Sequence, residues 1–106
     1  MNPFDLFRRT DINRGLEAFR AETDALLLDV RTPEEFREGR IPGSTNLPLL
    51  ELDEIFSLAA NPDTPLYVYC LSGGRSGQAV YELQSRGYTN VKNLGGISAY
   101  VGTLER

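Results

Sequence analysis

One short segment of this sequence combines a nucleophile, a glycine-rich turn and a cation. The run Leu66–Cys70 is rich in aromatic and β-branched residues, which favours a β-strand ending at the chain's single cysteine. The residues that follow it are Leu71, Ser72, Gly73, Gly74, Arg75 and Ser76. A strand, a tight turn and a helix start place successive backbone N–H groups around one concavity. We therefore expect the Cys70 sulfur to lie at the base of a cup of N–H donors.

Such a cup predicts a reactive cysteine, because N–H groups and the positive end of a helix favour the thiolate and lower the thiol pKa. Gly73 and Gly74 permit backbone angles and close approaches that a Cβ would oppose. Ser76 is placed to cap the helix. Arg75 either faces a bound anion or turns outward to brace the loop. A lone cysteine is more often a small buried hydrophobe, but the order strand, cysteine, glycine, arginine and helix favours the reactive interpretation for Cys70.

A second charged segment ends the apolar run 25–30, which has the character of a strand buried on both faces. It contains Asp29 and Arg31. These residues either bind the Cys70 loop or line the pocket from the neighbouring strand end, or they form an ion pair that closes the strand and caps the helix near Pro33. The second role is the commoner one for such a pair.

The elements that position these segments alternate along the chain. Strand-like runs are at 25–30, 44–47, 66–70 and 91–94, and helical spacing or capping signals mark segments near 12–19, 33–38, 52–59, 76–86 and 96–104. Thr10 or Asp11 is suited to cap the first helix. Alternating strands and helices predict a parallel α/β sheet covered on both faces, with ligands bound beyond the carboxyl ends of the strands. Both charged segments end strands and should meet there.

Composition excludes several functions. The 106 residues contain no histidine and one cysteine, so Ser-His and Cys-His dyads, imidazole ligands, an internal disulfide and a CxxC site are absent. The net charge of -4 argues against binding to nucleic acid. No run of about 18 apolar residues predicts a membrane span, and the first ten residues lack a secretory signal core. We expect one cytoplasmic domain over 1–106 with a reduced thiol.

Three stretches together resemble the single-domain rhodanese-like sulfurtransferases over about residues 10–104. They are 28–36 with 39–43, the pattern Cys-x-x-Gly-x-Arg-Ser at 70–76, and Asn-Leu-Gly-Gly-Ile at 93–97. The resemblance implies a five-stranded parallel α/β domain with helices on both faces. It implies that Cys70 accepts a sulfane sulfur as a persulfide, within a substrate-binding loop 71–76, and passes it to cyanide or a thiol.

That chemistry needs neither a metal nor an organic cofactor. The implied partners are a small sulfur-donor anion or persulfide and, as a further candidate, a sulfur-acceptor protein. The physiological donor and acceptor, the pathway and the oligomeric state stay open.

The sequence departs from the family pattern at three positions. Arg40 and Tyr100 replace a common histidine and tryptophan, and both are expected to change packing rather than chemistry. Leu71 stands where many thiosulfate-using members carry a basic residue. An apolar mouth and an acidic chain should attract a small dianion weakly.

Two other functions are compatible with parts of the pattern. Cysteine-dependent phosphatases and arsenate reductases also join a cysteine and an arginine in one loop, but with five intervening residues. Here four residues separate Cys70 from Arg75, which predicts a smaller cup. A catalytically idle module used for protein binding is the other alternative, although inactive relatives usually lack the cysteine.

Overall fold

The structure, a computed structural model, describes residues 11–106, and these form an α/β fold. The elements in chain order are α1 (Ile12–Ala21), β1 (Leu26–Asp29), α2 (Pro33–Glu38), β2 (Ser44–Asn46), a 3₁₀ segment (Leu49–Glu54), α3 (Ile55–Leu58), β3 (Leu66–Cys70), α4 (Gly74–Ser85), β4 (Val91–Gly96) and a 3₁₀ turn (Ile97–Ala99). The predicted alternation of strands and helices is confirmed. The first ten residues lie outside the described part of the chain. The predictions made for them, namely Thr10 as a helix cap and the lack of a signal core, therefore stay predictions.

Four parallel strands form the sheet of residues 11–106, in the order β2-β1-β3-β4. The prediction of a fifth strand is wrong for residues 11–106, which contain four. The sequence supplies four strand-like runs, and the fifth rested on the resemblance alone. The last residues contribute an isolated antiparallel bridge between Arg40 and Glu105 instead of a strand.

The two central strands are buried on both faces, as their apolar runs predicted. Side chains that alternate along a strand point to opposite faces of the sheet. One core cluster accordingly contains Leu28, Val68 and Cys70, together with residues of α3 and α4. The other contains Leu27 and Tyr67, together with residues of α1. Helices therefore cover both faces, and the Cys70 side chain belongs to the face covered by α4.

The helix ends explain how the chain turns at the edge of the sheet. Asp11 caps α1 by accepting a hydrogen bond from the Asn13 N–H. Thr32 caps α2 in a reciprocal capping box with Glu35, so the expectation that the Asp29–Arg31 pair caps this helix is wrong. Thr32 lies directly before Pro33 and supplies the hydroxyl that the helix needs.

The prediction of a final helix that extends to about Leu104 is also wrong. The chain makes one 3₁₀ turn over Ile97–Ala99 and becomes extended at Tyr100. The residues after this point are Val101, Gly102 and Thr103, all of which have low helix propensity.

Candidate active site

Cys70 is the last residue of β3 and lies at the carboxyl edge of the sheet. Its side chain is buried among core residues, and its sulfur faces the start of α4. The Gly73 N–H donates to Sγ at 3.0 Å. The thiol in turn lies 3.4 Å from Oγ of Ser76, to which it donates. The strand, turn and helix start thus produce the cup that the sequence predicted.

Two opposing effects act on the pKa of the Cys70 thiol. Burial alone raises it, because burial disfavours the charged thiolate. It is lowered by the Ser76 hydroxyl, which can donate to the sulfur once the thiol proton is lost, and by the N–H groups of Ser76, Gly73 and Ser72. The hydrogen bonds prevail, and the pKa of Cys70 falls below its ordinary value. The loop therefore makes Cys70 easier to deprotonate than an ordinary cysteine, in a chain without histidine.

Two glycines shape the loop through different physical requirements. Gly73 is the N-cap of α4 and has a φ of +110°, a conformation that side chains oppose. Gly96, at the end of β4, packs so closely on the loop that an added Cβ would lie 2.4 Å from the Leu71 carbonyl oxygen. Gly74 is different, since no atom lies within 4 Å of its missing Cβ. The expected steric requirement for glycine is therefore confirmed at Gly73 and wrong at Gly74.

Ser76 has a different role from the expected helix cap. Because α4 begins at Gly74, Ser76 lies within the first turn and Gly73 is the N-cap. The Ser76 side chain is fully buried, and its hydroxyl lies 3.0 Å from the Gly73 carbonyl oxygen. Its position beside Sγ makes it a direct neighbour of the thiol.

Arg75 turns outward and pairs with Glu35, which the sequence did not indicate as a site residue. Its two terminal nitrogens donate to the two carboxylate oxygens of Glu35 in α2, at 2.7 and 3.0 Å. The hydrogen bond from Arg75 is the main cause that lowers the pKa of Glu35 to about 2. Of the two orientations expected for Arg75, this is the bracing one. The capping-box pattern Thr-x-x-Glu would have indicated where the Glu35 carboxylate is held.

Asp29 and Arg31 form a buried ion pair at the end of β1. Nε and Nη2 of Arg31 lie 3.0 and 2.7 Å from the two carboxylate oxygens of Asp29. Nη2 also donates to the Gly39 carbonyl oxygen at 2.7 Å, which ties the end of α2 to the strand. These contacts favour the closing role for the pair.

The outer part of the loop is exposed to solvent. Leu71 is 46% exposed and Ser72 is exposed. The Leu71 carbonyl oxygen accepts a hydrogen bond from the Ser98 N–H at 3.1 Å, which ties the loop to the 3₁₀ turn after β4. The outer part of the loop therefore exposes an apolar side chain.

Two other features are absent from the described part of the chain. Residues 11–106 contain no group of three or more cysteine and acidic side chains arranged to hold a metal ion. None of the helices between these residues combines the length and the apolar character that a membrane span requires.

The chain is similar to known proteins in sequence and in fold. The family model described as Rhodanese-like domain matches residues 13–103. An uncharacterized protein of Bacillus subtilis, YqhL, is 40% identical over 91 residues, which are 84% of this chain and 71% of that protein. The thiosulfate sulfurtransferase PspE of Escherichia coli is 39% identical over 71 residues, covering 66% of this chain and 68% of that one. A solved rhodanese with anions from E. coli superposes with a TM-score of 0.72 at 32% identity, over 77% of this chain and 98% of that one.

Proposed function

Because the chain belongs to the rhodanese-like domain family, we propose that it is a sulfurtransferase that carries a sulfane sulfur as a persulfide on Cys70. The observation that carries this proposal is the donor set around one sulfur. The Gly73 N–H and the Ser76 side chain contact Sγ, and the pKa of Cys70 is lowered. The sulfurtransferase name of the relative PspE supports the same class of reaction.

The first half-reaction is a displacement at sulfur. The Cys70 thiolate attacks the outer sulfur of thiosulfate, a new S–S bond forms, and sulfite leaves with the electron pair of the broken S–S bond. Another persulfide can serve as donor in the same way, with its thiolate as leaving group. The loop N–H groups are suited to stabilise the negative charge on the terminal sulfur of the product.

The second half-reaction regenerates the enzyme. Cyanide attacks the terminal sulfur of the Cys70 persulfide and leaves as thiocyanate, and the electron pair of the S–S bond returns to the cysteine as a thiolate. A thiol acceptor reacts by the same displacement and becomes a persulfide. No external redox partner is needed, since each step moves a neutral sulfur atom from one nucleophile to another and the electron pair of the broken S–S bond stays with the leaving group.

The site favours this reaction over hydrolysis of a phosphate ester. A cysteine-dependent phosphatase needs an arginine directed at the bound oxyanion. Here both terminal nitrogens of Arg75 are bound to Glu35, and the loop is one residue shorter than in those enzymes.

Intact-protein mass spectrometry tests the proposal directly. Incubation with thiosulfate or an organic persulfide should add the mass of one sulfur atom, and cyanide should remove it as thiocyanate. Cys70→Ser should gain no mass. Because Cys70 is the only cysteine, the modified position is unambiguous. A wild-type protein that gains no sulfur from either donor would contradict the proposal.

A further inference from the structure

The arginines that follow β1 and β3 each form an ion pair with a carboxylate. Arg75 makes a bidentate pair with Glu35, and Arg31 makes a buried pair with Asp29. The active loop therefore presents N–H dipoles and the apolar Leu71 side chain, while the charge of its arginine is neutralised. An arginine in this loop would otherwise attract an anionic donor.

We propose that Glu35 is a specificity-determining residue that, by neutralising Arg75, makes the site favour an organic persulfide over the thiosulfate dianion. This inference rests on the proposed function. An organic persulfide carries at most one negative charge on its sulfurs, whereas thiosulfate carries two. Because the work of moving a charge through a potential is proportional to that charge, the dianion responds to Arg75 twice as strongly in free energy.

The structure holds the Glu35 carboxylate in place from a second direction. Its Oε1 accepts hydrogen bonds from the Thr32 N–H at 2.9 Å and from the Thr32 hydroxyl at 3.1 Å. The same oxygen receives Nη1 of Arg75. The capping box of α2 thus fixes the carboxylate where the guanidinium of the active loop meets it, so neutralisation is built into the helix start.

A single substitution removes the charge and keeps most of the hydrogen bonds. Glu35→Gln keeps one carbonyl oxygen, which can accept from Thr32 and from Nη1 of Arg75, and replaces the oxygen that accepts from Nη2 with an amide group. Glu34→Gln is the matched control, since Glu34 is the adjacent acid, is well exposed and pairs loosely with Arg37 at 3.7 Å. The two variants therefore change net charge equally but differ in their contact with Arg75.

Alkylation of the single cysteine measures the potential at Sγ without any turnover. Iodoacetate carries one negative charge and iodoacetamide carries none, and both react with the same thiolate. The ratio of their rates therefore reports local charge and cancels the thiolate fraction. Glu35→Gln should raise this ratio about threefold and Glu34→Gln should leave it near the wild-type value, as expected for one charge in a partly solvated site.

Donor kinetics supply the second readout. Glu35→Gln should raise kcat/KM for thiosulfate about threefold relative to its value for the persulfide of 2-mercaptoethanol, because the threefold factor acts twice on the dianion and once on the persulfide monoanion. The double variant Glu35→Gln with Arg75→Gln should return the alkylation ratio to the wild-type value. An elevated ratio in the double variant would show that the charge of Arg75 is not the cause.

The outcomes separate this inference from the function on which it rests. An alkylation ratio that is unchanged in Glu35→Gln, or equally changed in Glu34→Gln, overturns the role of Glu35 even if wild-type Cys70 forms a persulfide. Failure of wild-type Cys70 to gain sulfur from both donors overturns the proposed function, whatever the ratio shows.

Discussion

Ser76 offers the sharpest test of how a cysteine is activated here without an imidazole. Ser76→Ala removes the hydroxyl that lies 3.4 Å from Sγ and keeps the backbone N–H. A hydrogen bond to a charged group contributes roughly 1.5–3 kcal/mol, and this one is long, so we take the lower end. Since one pKa unit corresponds to about 1.4 kcal/mol, the Cys70 pKa should rise by about one unit.

The effect on reactivity is smaller than the effect on ionisation and changes sign with pH. Below both pKa values the variant has about one tenth of the thiolate, but thiolate nucleophilicity rises with pKa with a Brønsted slope of about 0.4–0.5. Alkylation by iodoacetamide should therefore slow about three- to fourfold at low pH. Above both pKa values the thiolate is fully formed, and the variant should react about threefold faster.

The pH profile of iodoacetamide alkylation, followed by intact mass, measures both limbs. Ser72→Ala is the matched control, because the exposed Ser72 contributes its backbone N–H, which alanine retains. Burial of Ser76 means that its loss should also lower the free energy of unfolding by about 1 kcal/mol, which urea denaturation checks. Rate profiles of Ser76→Ala that never cross the wild-type profile, or an equal shift in Ser72→Ala, would refute the reasoning.

Two further predictions concern the shape and the charge of the active loop. Gly96→Ala places a Cβ against the Leu71 carbonyl, so it should displace the loop, lower the stability by roughly 1–3 kcal/mol and slow persulfide formation. Gly77→Ala in α4 is the control, because its added Cβ meets only an ordinary contact at 3.7 Å. Equal behaviour of these two variants in urea denaturation and mass spectrometry would count against the close approach. Leu71→Arg should raise kcat/KM for thiosulfate by up to about tenfold and raise it less for the persulfide of 2-mercaptoethanol. Equal gains for both donors would remove the electrostatic argument.

Local sequence patterns were sufficient to predict the elements that depend mainly on residues close together in the chain. The buried strands around Leu28 and Val68 followed from their apolar runs, and the glycine of positive φ at Gly73 followed from the turn between a strand and a helix. The terminal helix failed for the opposite reason. Gly95-Gly96 suggested a helix start, but the residues after Tyr100 have too little helix propensity to continue it.

The partners of the site residues could not be read in the same way. Glu35 and Arg75 are 40 positions apart, and their pairing depends on how α2 and α4 meet at the carboxyl edge of the sheet. The close approach of Gly96 to the loop likewise depends on the alignment of β4 with β3. Such alignments are set by packing over the whole sheet, and local spacing does not encode them.

The sequence by itself singled out Cys70 as the candidate nucleophile and predicted how it would be activated, because a single cysteine in a chain without histidine leaves backbone N–H groups and a helix start as the available donors. Tertiary structure decided the direction of the charges. It turned Arg75 toward Glu35 and placed the Ser76 hydroxyl beside the sulfur. The physical reason is that charge at a site depends on distances between elements, which only the packed fold sets.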